Sequence, residues 1–172
     1  MNKKNKLFNT KVIHSGHKED KDTGAVMPPI HLSSTFKQKS PGDFKYEYAR
    51  TNNPTREILE KLLAEIEEGK HAFAFSSGMA AINCLTDAME KEFHIICSDD
   101  VYGGTRRIFD KVKNVNQNIE ITYTDFNKED NWPGLIQKNT KMIWLETPSN
   151  PLLKIVDISK IKSEISNENI KI

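Results

Sequence analysis

Short apolar runs recurring between helical patterns constrain this chain more than any other feature. HAFAF (71–75) precedes GMAAINCLTDAME, FHIICS (93–98) precedes GGTRRIFDKVKNV, and IEITYT (119–124) precedes a short helix near Trp132 to Gln137. KMIWLE (141–146) then leads through TPSNP to DISKIKSEIS and a final NIKI. Apolar runs of this length bounded by turn residues read as strands, and the segments between them carry the spacing of amphipathic helices. Strand and helix in alternation predict an α/β fold: a mostly parallel sheet with right-handed crossovers and helices on both faces. No internal repeat or low-complexity tract interrupts the pattern.

The first 53 residues differ. Gly24, Pro28-Pro29, Pro41-Gly42 and Asn52-Asn53-Pro54 break the chain repeatedly, and sustained periodicity is absent. A segment of this kind builds no core of its own and reads as an extended arm. Order begins at NPTREILEKLLAEIEEG, where Asn53 suits a cap and Pro54 the first helical position, while Ile58, Leu59, Leu62, Leu63 and Ile66 form one stripe ending before Gly69. Residues 1–53 are therefore expected as an arm and 54–172 as the α/β domain.

A chain of 172 residues suits one domain or part of a larger one. Its 25 Lys and Arg nearly cancel its 24 Asp and Glu, which argues against nucleic acid or an anionic membrane as the main partner. No window approaches the roughly 18 apolar residues of a membrane span. The basic opening MNKKNK lacks the apolar core of a signal peptide, so the cytoplasm is the default location. Cys84 and Cys97 stand singly in apolar stretches without the spacing of a metal site, and read as buried reduced thiols; no metal is expected.

In open α/β sheets ligands gather at the carboxyl ends of the strands. SSGM after HAFAF, SDDVYGG after FHIIC and ETPSNP after KMIWL all fall there. At SSGM, the free amides of a helix start, the hydroxyls of Ser76 and Ser77 and the small Gly78 form a cup for an anion, or else a plain capped turn. The dipole contribution is only about 0.3–1 kcal/mol, so tight phosphate binding needs a cation as well. The segment matches neither dinucleotide nor P-loop spacing. Tyr102 could stack on a flat ligand or pack over the following helix. Asp99 and Asp100 read as loop polar groups. Glu146 and Asn150 offer a carboxylate and a planar amide on a proline-stiffened turn. Tyr48 and Arg50, two residues apart, project from one face of an extended segment and could supply the cation, or be a packed tyrosine and a surface arginine.

TKVIHSG, GAVMPPIHLSSTF, YEYARTNNPTR, FAFSSGMAAI, DDVYGGTRRIF and IWLETPSNPLLKIVDI, in this order, resemble the Cys/Met-metabolism family of pyridoxal-phosphate enzymes. The resemblance implies the large domain of a fold type I (aminotransferase-like) enzyme, the cofactor pyridoxal 5′-phosphate and an amino-acid substrate. It also implies a homo-oligomer in which the arm serves a neighbouring subunit's site. It assigns Ser77, Gly78 and Met79 to the cofactor phosphate, with Tyr48 and Arg50 reaching the phosphate of the neighbour. Tyr102 would stack on the pyridine ring and act in catalysis, and Asn150 would bond the ring's 3′-oxygen with Glu146 supporting its loop. Glu47 would face the substrate amino group. Within the family the motifs look closest to cystathionine γ-lyases and the γ-synthases similar to them, with β-lyases, methionine γ-lyases and a non-catalytic phosphate binder as alternatives.

The family pattern also requires a lysine that binds the cofactor covalently and an acid facing its ring nitrogen. Neither context is found here, so the chain is expected to be truncated and inactive by itself. Lys154 and Lys171 read as solvated surface charges.

Overall fold

The computed structural model describes residues 8–128 and 132–172, so the opening MNKKNK lies outside the described residues. The chain divides into two compact units, up to Ser76 and from Ser77 onward.

In the first unit helix α1 spans Phe8–His14 and helix α2 spans Pro54–Ile66. The Asn53 side chain accepts the Thr55 amide at 2.9 Å, and Pro54 occupies the first turn, where a missing N–H costs nothing. The two helices pack together. Gly16, at φ +81°, makes the approach possible: a Cβ there would lie 2.5 Å from the Ile58 carbonyl oxygen and 2.8 Å from the Leu62 amide nitrogen. Two turns of helix are too short to show a period in sequence, which is why α1 is not legible there. Downstream, Thr35 and Tyr48 pair in an antiparallel bridge, and Ser40 and Asp43 close the turn at Pro41-Gly42.

HAFAF departs from expectation. Residues 71–75 are not a strand; the Ala74 amide donates to Glu60 Oε1 at 3.0 Å, and Phe73 is 74% exposed. A strand exists only through a paired neighbour, and this segment finds none among the described residues.

The second unit opens with helix α3 (Gly78–Asp87), followed by strand β1 (His94–Ser98), helix α4 (Gly103–Ile108) and a five-residue π-helical segment (Phe109–Lys113) that runs into helix α5 (Asn114–Gln117). Strand β2 (Glu120–Thr124), a 3-10 turn (Pro133–Leu135), strand β3 (Thr140–Trp144) and helix α6 (Ile158–Glu164) complete it. The sheet is open and parallel in the order β2-β1-β3, with Ile95 opposite both Ile121 and Met142. The expected final run NIKI joins it only through a bridge between Met142 and Lys171, where the Ile143 amide reaches Lys171 O at 2.8 Å.

Alternation along β1 divides the core in two. Ile95 and Cys97 face a cluster with Phe93, Phe109 and Ile119, whereas Ile96 faces Trp132, Ile143 and Ile161. Every residue of β1 is buried, as befits a central parallel strand covered on both faces. On the Ile96 side the buried His94 ring lies between the Thr140 and Thr122 hydroxyls, at 2.8 and 2.9 Å. The π segment turns both Phe109 and Lys113 inward, and the buried Lys113 ammonium meets Asp87 Oδ1 at 2.5 Å.

Cys97 is buried as expected, and burial pushes its thiol up. Cys84 is exposed. Helix α3 turns Thr86 inward and leaves Cys84 and Leu85 on its outer side, so an apolar sequence neighbourhood does not make Cys84 a core residue.

Candidate cofactor site

Because the strands are parallel, Ser98, Thr124 and Trp144 end on one rim, and the loops that follow them leave from that rim. Ser77, in extended backbone, caps α3 by accepting the Ala80 amide on Oγ at 3.1 Å. The amides of Gly78 and Met79 have no acceptor within the helix. A Cβ on Gly78 would meet nothing within 4 Å, so the space before these donors is open. Of the two readings of SSGM, an anion cup or a plain capped turn, Ser77 supplies the cap, and the two unpaired amides leave an anion cup possible in a helix long enough to carry a dipole.

The start of α4 lies against this turn. A Cβ on Gly104 would come within 2.4 Å of Tyr102 Cε1 and 2.9 Å of Met79 Sδ, so only glycine lets the ring and the sulfur close over the helix start. Tyr102 rests on its own helix yet remains 49% exposed. One side of the ring packs, as one of the two alternatives has it, while the rest faces the solvent.

Glu146 ties the end of β3 to the start of α4. Its Oε2 accepts the Tyr102 amide at 2.8 Å, and Oε1 accepts the Thr105 hydroxyl at 2.7 Å and the Trp144 indole N–H at 3.4 Å. Both oxygens are engaged, so Glu146 fixes the backbone under the tyrosine. Thr105, fully buried, gave no signal in the sequence.

Asn150 lies exposed on the next turn. Asp100, which read as a loop group, is buried and anchors that turn, accepting the Ser149 hydroxyl and the Leu152 amide, the latter at 2.8 Å. Lys154 is not a solvated charge. Its ammonium bonds both oxygens of Asp99 at 2.9 and 2.8 Å and Asp125 Oδ2 at 3.0 Å. The hydrogen bonds to Asp99 and then Asp125 raise its pKa, and the same contact lowers that of Asp125. The carboxylates at the ends of β1 and β2 supply the partners, and their meeting with Lys154 depends on tertiary structure alone.

Glu47, Tyr48 and Arg50 belong to the first unit. The Glu47 carbonyl accepts the Phe36 amide at 3.0 Å, but the segment then turns instead of staying extended, with Tyr48 O accepting the Thr51 and Asn52 amides at 3.0 Å, and it is this turn that leaves the Arg50 guanidinium 4.9 Å from the Tyr48 ring centroid. All three side chains are exposed. Arg56, unmarked in the sequence reading, holds the turn between them and α2 by donating to Ala49 O at 3.0 Å and Thr51 O at 2.9 Å.

Among the described residues no group of three or more His, Cys, Asp or Glu is placed to hold a metal ion. No helix among them is long and apolar enough to cross a membrane. The second unit presents the open helix-start amides of Gly78 and Met79, the half-exposed ring of Tyr102 and the exposed amide of Asn150.

The profile of the family described as Cys/Met metabolism PLP-dependent enzyme matches residues 9–172. A cystathionine beta-lyase of Coxiella burnetii is 44% identical over 170 residues, covering 98% of this chain and 44% of its own. A cystathionine gamma-synthase of Mycobacterium leprae is 46% identical over 166 residues, 95% of this chain and 42% of its own. Among solved structures, cystathionine gamma-lyase from Lactobacillus plantarum complexed with L-serine superposes with a TM-score of 0.86 at 42% identity, over 96% of this chain and 43% of that one. The chain thus spans less than half the length of these relatives, whose names agree on the chemistry of cystathionine but not on one reaction. Matched by the family profile from residue 9 to its last, the chain belongs to the Cys/Met metabolism PLP-dependent enzymes and shares their α/β fold and their cofactor, pyridoxal phosphate.

Proposed function

We propose that residues 1–172 form the phosphate-and-ring portion of the cofactor site of a trans-sulfuration enzyme of the cystathionine γ-lyase or γ-synthase type, acting on C–S bonds of sulfur amino acids. The observation that carries this reading is the joint placement of the open α3 amides, Met79 and Tyr102 around Gly104, with Glu146 fixing the tyrosine backbone. Pyridoxal phosphate, when bound, would supply the electron sink for the electron pair left on the amino-bearing carbon when its C–H bond breaks.

The protein's own residues divide the remaining work. Gly78 and Met79 donate amides to the phosphate, with the Ser77 hydroxyl at the cup's edge. Tyr102 lays its exposed ring on the cofactor and moves a proton at its hydroxyl. Asn150 donates to the ring 3′-oxygen. Tyr48 and Arg50 serve the phosphate in a second copy of the chain, and Glu47 receives the substrate amino group, so the working form is a homo-oligomer with residues 1–53 acting as an arm. The activity named for the Coxiella relative, β-lyase, uses the same donors and is the second reading.

We assign the covalent lysine to no residue of this chain: Lys154 is committed to Asp99 and Asp125, and Lys171 lies at the sheet bridge to Met142. The 172-residue chain should bind pyridoxal phosphate reversibly and without activity. Borohydride reduction followed by mass spectrometry checks this, with saturable binding that inorganic phosphate displaces and no pyridoxyl mass added to a lysine as the expected result. A stoichiometric pyridoxyl-lysine, or no binding at all, would contradict it.

A further inference from the structure

We propose that Lys154 is a positioning residue for Asn150, clamping the Thr147–Ile155 turn to the ends of β1 and β2 so that the Asn150 amide is held ready at the rim. The inference rests on the assignment of Asn150 to the cofactor ring.

Apolar burial does not hold this turn. Leu152 is 67% exposed, Leu153 71% and Ile155 64%, and the sequence around Asn150 is polar or proline. Beneath it, Ser98, Asp100, Glu146 and Ser149 line a cavity of about 10 Å³, room for a single water. The buried Ser98 Oγ has no protein partner among the described residues. What fixes the turn is therefore a set of polar ties.

Those ties form two connected clamps. In the first, the Lys154 amide donates to Ser149 Oγ at 2.8 Å, and the Ser149 hydroxyl donates to Asp100 Oδ2, which also accepts the Leu152 amide. Ser149 N and Lys154 O close the same loop at 3.0 Å. In the second, the Lys154 side chain crosses to Asp99 and Asp125. Two adjacent residues at the end of β1 thus grip the turn through different atoms, and Asp125 adds the end of β2. Asn150 lies between the gripped residues 149 and 152, with its own side chain unbonded among the described residues. An amide that must meet one ring oxygen loses less freedom on binding when its loop is already fixed.

The charge on Lys154 is what the second clamp needs, since neutralising it leaves Asp99 and Asp125 facing each other across the turn. Lys154→Met should remove the clamp while keeping the stem, and Lys154→Arg should keep it. Hydrogen exchange measured on the 172-residue chain should accelerate at least tenfold in peptides covering 149–156 for Lys154→Met and remain unchanged for Lys154→Arg. With pyridoxal phosphate bound, the absorbance that reports ionisation of its 3′-hydroxyl should change its pH profile in Lys154→Met as it does in Asn150→Ala. Should Lys154→Met fail to fold, Asp125→Asn carries the same two measurements.

Unchanged exchange in 149–156, or a pH profile like that of the parent protein, would overturn the proposal. The parent reading fails separately: it falls if pyridoxal phosphate does not bind at all, whereas the exchange measurement still reports on the clamp.

Discussion

At the scale of single residues, buried polar groups decide more than the apolar core suggests. His94 sits fully buried between two threonine hydroxyls, and desolvation lowers its pKa despite the opposing charge of Glu120. The folded protein therefore resists the protonated ring, while the unfolded chain accepts a proton near pH 6.5. Stability from this group is complete above that pH and is lost as the pH falls below it towards the lowered folded value. Urea midpoints measured between about pH 7.5 and 5.5 should decline on acidification, and His94→Gln should flatten that decline; an equally steep decline in the variant would show that another group is responsible. Individual roles were unevenly legible. Ser77, Tyr102 and Glu146 stood out as candidates because each falls in a loop expected at the carboxyl rim of the sheet. Asp100, Thr105 and Lys154 did not, because the side chain of each works through partners distant in sequence, from 29 positions away for Lys154 and Asp125 to 55 for Lys154 and Asp99.

Elements were read well where a period or cap extended over several turns. Helix α2 begins and ends where Asn53, Pro54 and the apolar stripe place it, and β1 to β3 match three of the expected strands within a residue or two, while the final NIKI forms a single bridge. HAFAF has the composition of a strand without the partner that makes one, and pairing is a property of the fold and not of the segment. The short α1 escaped notice for the opposite reason: a seven-residue helix owes its existence to α2 and Gly16. The cap argument has a measurable consequence. Asn53→Ala removes the acceptor for Thr55 N and the donor to His31 O, and should cost about 1 kcal/mol in the first unit. Thermal unfolding monitored through residues 8–76 checks it; an unchanged transition would mean that Pro54 alone starts the helix.

At the scale of the whole molecule, unusually many apolar side chains face outward. Leu32 is 91% exposed and Ile30 76%, in a segment without a core of its own, and the outer strand β2 has an edge unpaired among the described residues. The 172-residue chain should therefore self-associate, with sedimentation velocity showing dimers or larger species at micromolar concentration; a single monomeric boundary would contradict this. The central claim, that the start of α3 is the phosphate cup of a pyridoxal-phosphate site, permits a cleaner test. Proline suits the first helical position, Ser77 already has the extended backbone that precedes proline, and Gly78 has open space around it. Gly78→Pro thus removes one amide donor with little cost to the helix. A hydrogen bond to a charged group is worth about 1.5–3 kcal/mol, so losing it should weaken binding at least tenfold. The decisive measurement is the affinity of the chain for pyridoxal phosphate and for pyridoxal, before and after Gly78→Pro. The account predicts that the phosphate form binds at least tenfold more tightly and that the substitution removes most of this difference; equal affinities for the two ligands, or a difference untouched by Gly78→Pro, would contradict it.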